Sequence, residues 1–144
     1  TGVATGSIYR ASGADFRRSP GREPVANTPK VSLFTWYDIA DRDEDLLVVN
    51  VHAINFTLNK PFEDQILNLE DLVASHNGPM LVAGDFNTWW PAREDFLIDV
   101  MNRNGLTHVA LENDDRWLRV VVNPLAVPRR RATVFFDRRL REKK

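Results

Sequence analysis

Segments with strand-like and with helix-like spacing of hydrophobic residues alternate along the chain and together predict an α/β domain. Val31–Ile39 is rich in β-branched and aromatic residues, and Leu46–Ile54 is an almost continuous apolar run. The short charged segment between them predicts an antiparallel hairpin, and the second run is typical of a strand buried on both faces. Met80–Gly84 predicts a further short strand, and Leu106–Leu111 predicts a weak one.

Helical spacing predicts two helices, at Pro61–Asn77 and Pro91–Asn104. Their apolar residues recur every three or four positions, which places them on one buried stripe of each helix. Glycine and proline are frequent before Thr28, so we expect a strand near the N-terminus and no regular element between Ser12 and Thr28. The stripe residues are Phe62, Ile66, Leu69 and Val73 in the first helix and Phe96, Leu97, Val100 and Met101 in the second.

This order of elements predicts one sheet with both helices on one face. We expect Leu46–Ile54 and Met80–Ala83 to be neighbouring central strands, with His52 and Asp85 no more than about 15 Å apart. The opposite face would then be apolar and uncovered, which predicts self-association through that face.

Composition narrows the class of protein. The 144 residues suit one domain, and the absence of cysteine excludes disulfide scaffolds, thiolate metal sites and cysteine nucleophiles. The absence of cysteine is compatible with a reducing compartment, so we expect a cytoplasmic protein. No apolar run is long enough to span a bilayer.

Charge is unevenly distributed along the chain. Residues 127–144 carry a charge of +6 and the other residues a charge of −7. This predicts a main domain over residues 1–126 and a basic tail that is either a nucleic-acid contact or a solvated terminal segment.

Candidate chemistry lies at the ends of two apolar strands. His52 ends one strand, and Asp85 and Asn87 follow the other. Ligands of layered α/β folds commonly bind beyond the carboxyl ends of strands. On an extended backbone Asp85 and Asn87 share a face, and a carboxylate beside an amide suits a hard metal ion or a phosphate. Gly84 would allow close backbone approach below this site.

Each candidate also has a purely structural interpretation. Asp85 and Asn87 could cap the turn into the second helix, and His52 could be a buried structural histidine. Trp89 and Trp90 could stack on bases or anchor the core. His76 and His108 lack a carboxylate at ligand spacing, so we interpret both as structural.

Three segments resemble the endonuclease/exonuclease/phosphatase family, which includes deoxyribonuclease I-like enzymes. They are Thr28–Val31, Leu47–Phe56 and Gly78–Trp89, and the last contains Gly-Asp-Phe-Asn-Thr. The resemblance implies a four-layer α/β/β/α sandwich and Mg²⁺-dependent hydrolysis of phosphate esters. It also implies that His52 binds the scissile phosphate or assists the leaving group, that Asp85 activates water, and that Asn87 holds a phosphate oxygen near the metal.

The family pattern is incomplete here. Its metal-binding glutamate has no match, since Glu23 lies in a loop rich in proline and glycine, and its Ser-Asp-His strand is absent. Asp85 and Asn87 would therefore bind Mg²⁺ weakly. The first hypothesis is a truncated phosphodiesterase or nuclease. The alternatives are a non-catalytic α/β module whose basic tail binds nucleic acid or an acidic partner, and a degenerate product without function.

Overall fold

The computed structural model describes residues 2–109 and the backbone of the strand Thr133–Asp137. In these residues six strands form one mixed sheet in the order β1-β2-β3-β4-β6-β5. The β3–β4 pair is parallel and the other pairs are antiparallel. The strands are β1 (Gly13–Arg18), β2 (Val31–Tyr37), β3 (Leu46–His52), β4 (Met80–Asp85), β5 (Leu106–His108) and β6 (Thr133–Asp137).

Two helices connect the strands, α1 (Asn59–Ser75) between β3 and β4, and α2 (Pro91–Arg103) between β4 and β5. Both start within two residues of the predicted positions, and Pro61 lies in the first turn of α1, as its fixed φ favours. The predicted stripes are buried, except that Phe96 is half-buried at the edge of the core.

The core lies between the helices and one face of the sheet. On β3, Leu47, Val49 and Val51 are buried, and the residues between them are only half-buried. The prediction that this strand is buried on both faces is therefore wrong, because β3 is fully buried on one face and half-buried on the other. The pattern confirms instead a sheet with helices on one face, because alternate side chains of a strand point to opposite faces.

The second face, which we call the open face, is partly covered by the N-terminal segment. The Asn50 side chain donates a hydrogen bond to the Ala4 carbonyl at 2.7 Å, which holds this segment across β3. A cleft of about 480 Å³ remains between them, and its walls include Tyr9, Val48 and Leu81. The open face is thus less exposed than the sequence suggests.

The prediction that no regular element lies between Ser12 and Thr28 is wrong. Gly13–Arg18 forms the edge strand β1, paired with β2 over its whole length. The C-terminal strand β6 was not predicted, and it pairs with both β4 and β5. The rest of the basic tail, residues 127–132 and 138–144, lies outside the described residues, as do Ala110 and Leu111 of the predicted last strand.

Candidate active site at the ends of β3 and β4

The strand register brings His52 and Asp85 together. They are direct partners across the parallel β3–β4 pair, where neighbouring strands lie about 4.8 Å apart. The predicted proximity is confirmed. Both residues are half-buried, and both follow the alternation that places Asn50 on the open face. An imidazole and a carboxylate therefore lie side by side at the carboxyl ends of two adjacent strands.

Gly84 allows this close pairing of the two strands. Its φ is +150°, and a Cβ at this position would lie 2.0 Å from the carbonyl oxygen of Val51 on β3. No other residue type fits such an approach without moving the strands. The expectation that Gly84 permits a close backbone contact below the site is confirmed.

Asn87 does not share a face with Asp85, contrary to the prediction from strand alternation. β4 ends at Asp85, and Asn87 has a left-handed backbone with a φ of 51°. Its buried side chain donates a hydrogen bond from Nδ2 to the Ala53 carbonyl at 2.7 Å and accepts one from Trp89 Nε1 at 3.1 Å. Asn87 thus ties the end of β4 to the residue after β3.

The capping interpretation of Asp85 and Asn87 is wrong as well. The residue before α2 is Trp90, and no side chain caps the start of the helix. Asp85 Oδ1 instead accepts a hydrogen bond from the Asn87 backbone N–H at 3.1 Å, and Trp90 is half-exposed rather than anchored in the core. The turn is therefore organised around Asp85 itself.

Two buried polar side chains that sequence analysis did not select support the strand ends. Gln65 of α1 donates to the His52 carbonyl at 3.1 Å and accepts from the Ile54 N–H at 2.7 Å. Arg93 of α2 donates to the carbonyl oxygens of Ile54 and Asn87. The spacing of residues along the helices could have identified both as buried. Gln65 lies four residues before Leu69, and Arg93 lies four residues before Leu97, so each falls on the buried stripe of its helix.

Glu23 is buried in a structural contact rather than in the site. Its Oε2 lies 3.2 Å from Lys30 Nζ, and its Oε1 accepts the Asn55 N–H at 3.1 Å. This pairing explains why a carboxylate tolerates burial in a loop rich in proline and glycine. The contact also fixes Asn55, three residues after His52.

The donors at the strand ends do not fit a Mg²⁺ site by themselves. Asp85 offers one carboxylate as a metal ligand, whereas Asn87 Oδ1 already accepts a hydrogen bond from Trp89. Among the residues that the structure describes, no three His, Cys, Asp or Glu side chains are grouped so that they could hold a metal ion. Mg²⁺ binds through one or two carboxylates in addition to water or phosphate oxygens, so further ligands would be needed.

Comparisons with solved structures show the fold. An endonuclease/exonuclease/phosphatase family protein from Bacteroides thetaiotaomicron matches 90% of this chain with a TM-score of 0.60 and 12% identity. A mannosyl-6-phosphatase from the same species matches with a TM-score of 0.59 and 14% identity, again over 90% of this chain. The chain covers 51% and 53% of these two proteins. It therefore has the α/β fold of the deoxyribonuclease I-like proteins, and it aligns with about half of each.

Sequence comparison finds relatives of uncharacterised function. A UPF0294 protein of Klebsiella pneumoniae (strain 342) is 38% identical over 96 residues, which are 66% of this chain and 36% of that protein. A UPF0294 protein of Vibrio campbellii (strain ATCC BAA-1116) is 35% identical over 105 residues, or 72% of this chain and 37% of that protein. The chain thus spans little more than a third of these relatives. No family model matches it.

Neither α1 nor α2 is long and apolar enough to cross a bilayer.

Proposed function

We propose that this chain carries part of the active site of a metal-dependent hydrolase of phosphate esters, of the nuclease or phosphodiesterase type. The observation that carries the proposal is the register that pairs His52 with Asp85 at the carboxyl ends of two parallel strands. The fold supports it, because the matched structures include an endonuclease/exonuclease/phosphatase family protein and a mannosyl-6-phosphatase.

Each residue has a proposed role that its chemistry permits. The Asp85 carboxylate orients a water molecule and accepts its proton, and the His52 imidazole donates a hydrogen bond to the phosphate or the leaving oxygen. Asn87 gives one Nδ2 hydrogen to the Ala53 carbonyl and is buried, so its second Nδ2 hydrogen would reach a phosphate oxygen only after the segment that follows β4 opens toward the substrate.

Mg²⁺ belongs to this proposal as the cofactor of a longer protein. The described residues do not complete its coordination, so no step above depends on the ion. We therefore expect residues 1–144 alone to hydrolyse DNA or a phosphodiester dye barely above background, since groups that act as a unit retain little activity when some are missing.

A chimera tests the function. The 96 matched residues of the Klebsiella pneumoniae relative are replaced by those of this chain. We expect this chimera to hydrolyse bis(p-nitrophenyl) phosphate or DNA when Mg²⁺ is present. Asp85→Asn and His52→Ala should each lower the rate by about 100-fold or more, because each removes a proton-transfer or phosphate-binding group.

Asp95→Asn provides the matched control, since Asp95 is exposed on α2. It should leave the rate of the chimera unchanged. Hydrolysis that persists fully in the Asp85→Asn chimera would contradict the assignment of the site. Absence of hydrolysis of both substrates by the chimera and by the parent relative would contradict the function.

A further inference from the structure

Arg93 is a charged residue in a position that normally holds an apolar one. It lies on the buried stripe of α2, and only 1% of its surface is exposed. Burial lowers the pKa of the Arg93 guanidinium from its ordinary value, and the negative charge of Glu63 opposes this shift. Arginine stays protonated in proteins, so a full charge is held inside the domain. Such burial is costly unless hydrogen bonds compensate it.

The hydrogen bonds of Arg93 go to the two segments that follow β3 and β4 and to Asn59, the first residue of α1. Its terminal nitrogen Nη2 donates to the carbonyl oxygens of Thr57 at 2.6 Å and Leu58 at 3.1 Å. The other terminal nitrogen, Nη1, donates to the Ile54 carbonyl at 3.2 Å and the Asn87 carbonyl at 3.5 Å. The remaining acceptors are Thr57 Oγ1 and Asn59 Oδ1.

Two aromatic rings fix the orientation of the guanidinium. Its central carbon lies 4.9 Å from the ring centre of Phe62 on α1 and 5.2 Å from that of Trp90 before α2. Such contacts favour a cation, and they favour the flat guanidinium in particular. A lysine ammonium keeps the charge but cannot reproduce the planar fork of donors.

The two acceptors of Nη1 have equivalent positions relative to the candidate site. Ile54 follows His52 by two residues, and Asn87 follows Asp85 by two residues. We propose that Arg93 is the positioning residue of the site, which holds the ends of β3 and β4 so that His52, Asp85 and Asn87 keep their relative places. The inference deepens the proposed function and rests on it for the meaning of the site.

The test compares Arg93→Lys with Arg93→Met in the full chain by nuclear magnetic resonance. The signals followed are the His52 ring and the Asn87 side-chain amide, at a temperature where circular dichroism shows each variant folded. In both variants we expect these signals to shift and the hydrogen-bonded Asn87 Nδ2 proton to exchange about tenfold faster or more, because the strand ends open locally. The effect should be larger in Arg93→Met, which also loses the charge.

Arg103→Lys is the matched control, because Arg103 lies on the same helix and pairs with Glu70 at the surface. It should leave the His52 and Asn87 signals unchanged. A role in stability alone would lower the melting temperature of the Arg93 variants but leave both signals in place, and that result would overturn the proposal.

Thr57→Val covers the case in which neither Arg93 variant folds. It removes the hydroxyl acceptor of Nη2 and keeps the arginine. We expect a smaller shift of the same two signals, and unchanged signals would again refute the inference. None of these readouts needs catalysis, so a failure of the proposed function in the hydrolysis assay is a separate result.

Discussion

Replacing Glu23 by glutamine should destabilise the domain strongly, although the two side chains have almost the same shape. Glu23 is 8% exposed and its partner Lys30 is 5% exposed, so their contact is shielded from water. Glutamine keeps an acceptor for the Asn55 N–H but leaves the Lys30 ammonium buried without an opposite charge. Removing one member of a buried pair costs about 3–5 kcal/mol. We expect about 3 kcal/mol or more, because the single amide oxygen of glutamine can accept from the Asn55 N–H or from Lys30 but cannot replace both carboxylate oxygens.

Urea unfolding followed by tryptophan fluorescence and circular dichroism measures this free energy. A loss of about 3 kcal/mol corresponds to a fall in melting temperature of about 10 °C for a domain of this size. The double variant Glu23→Gln/Lys30→Met should recover much of the loss, because it removes the unpaired charge. Asp15→Asn is the control at an exposed pair, where about 0.5 kcal/mol or less is expected. A Glu23→Gln protein within 0.5 kcal/mol of wild type would refute the argument.

Three further predictions concern other parts of the fold. Gly84→Ala should destabilise by about 3 kcal/mol or more in urea unfolding, because its Cβ would overlap the Val51 carbonyl, and a normal midpoint would contradict this. Arg103 lowers the pKa of Glu70 by hydrogen bonding, so this pair should stabilise the fold above about pH 4.5 and lose its effect as the pH falls through the lowered pKa. Arg103→Gln should therefore reduce the fall in the free energy of unfolding that occurs below about pH 4.5. An unchanged pH dependence in this variant would exclude the Glu70–Arg103 pair as the cause of that fall. Sedimentation should show self-association through the open face that Val48→Lys weakens, whereas a wild-type monomer at all concentrations would refute it.

The elements that sequence analysis predicted well are those with strong hydrophobic periodicity. The β2–β3 hairpin, both helices and β4 agree with the structure to within three residues at each end. β1 was missed because Gly13–Arg18 is a mostly exposed edge strand, held by backbone pairing with β2 rather than by an apolar face. The sequence Thr133–Asp137 does contain β-branched and aromatic residues, but the arginines around it suggested a tail.

For the candidate site, sequence analysis predicted the proximity of His52 and Asp85 but not the geometry of Asn87. The pairing of His52 with Asp85 follows from adjacent strands, which apolar patterns can indicate. The orientation of Asn87 depends on a left-handed backbone after β4, which strand alternation does not describe. Arg93 was not predicted, because an arginine is rarely fully buried unless it is paired. Its burial depends on carbonyl oxygens from a distant loop, and such contacts exist only in the folded chain.

The place of β6 in the sheet has a consequence for how the chain folds during synthesis. β6 lies between β4 and β5, although it follows β4 by about fifty residues, from Asp85 to Thr133. Until Thr133–Asp137 leaves the ribosome, β4 and β5 both lack the strand that joins them in the described part of the sheet. Contacts between such distant segments form slowly, and open strand edges invite pairing with other chains. The nascent chain is therefore most exposed to aggregation in the interval between the synthesis of α2 and that of β6, when a chaperone that covers strand edges would raise the yield of folded protein most.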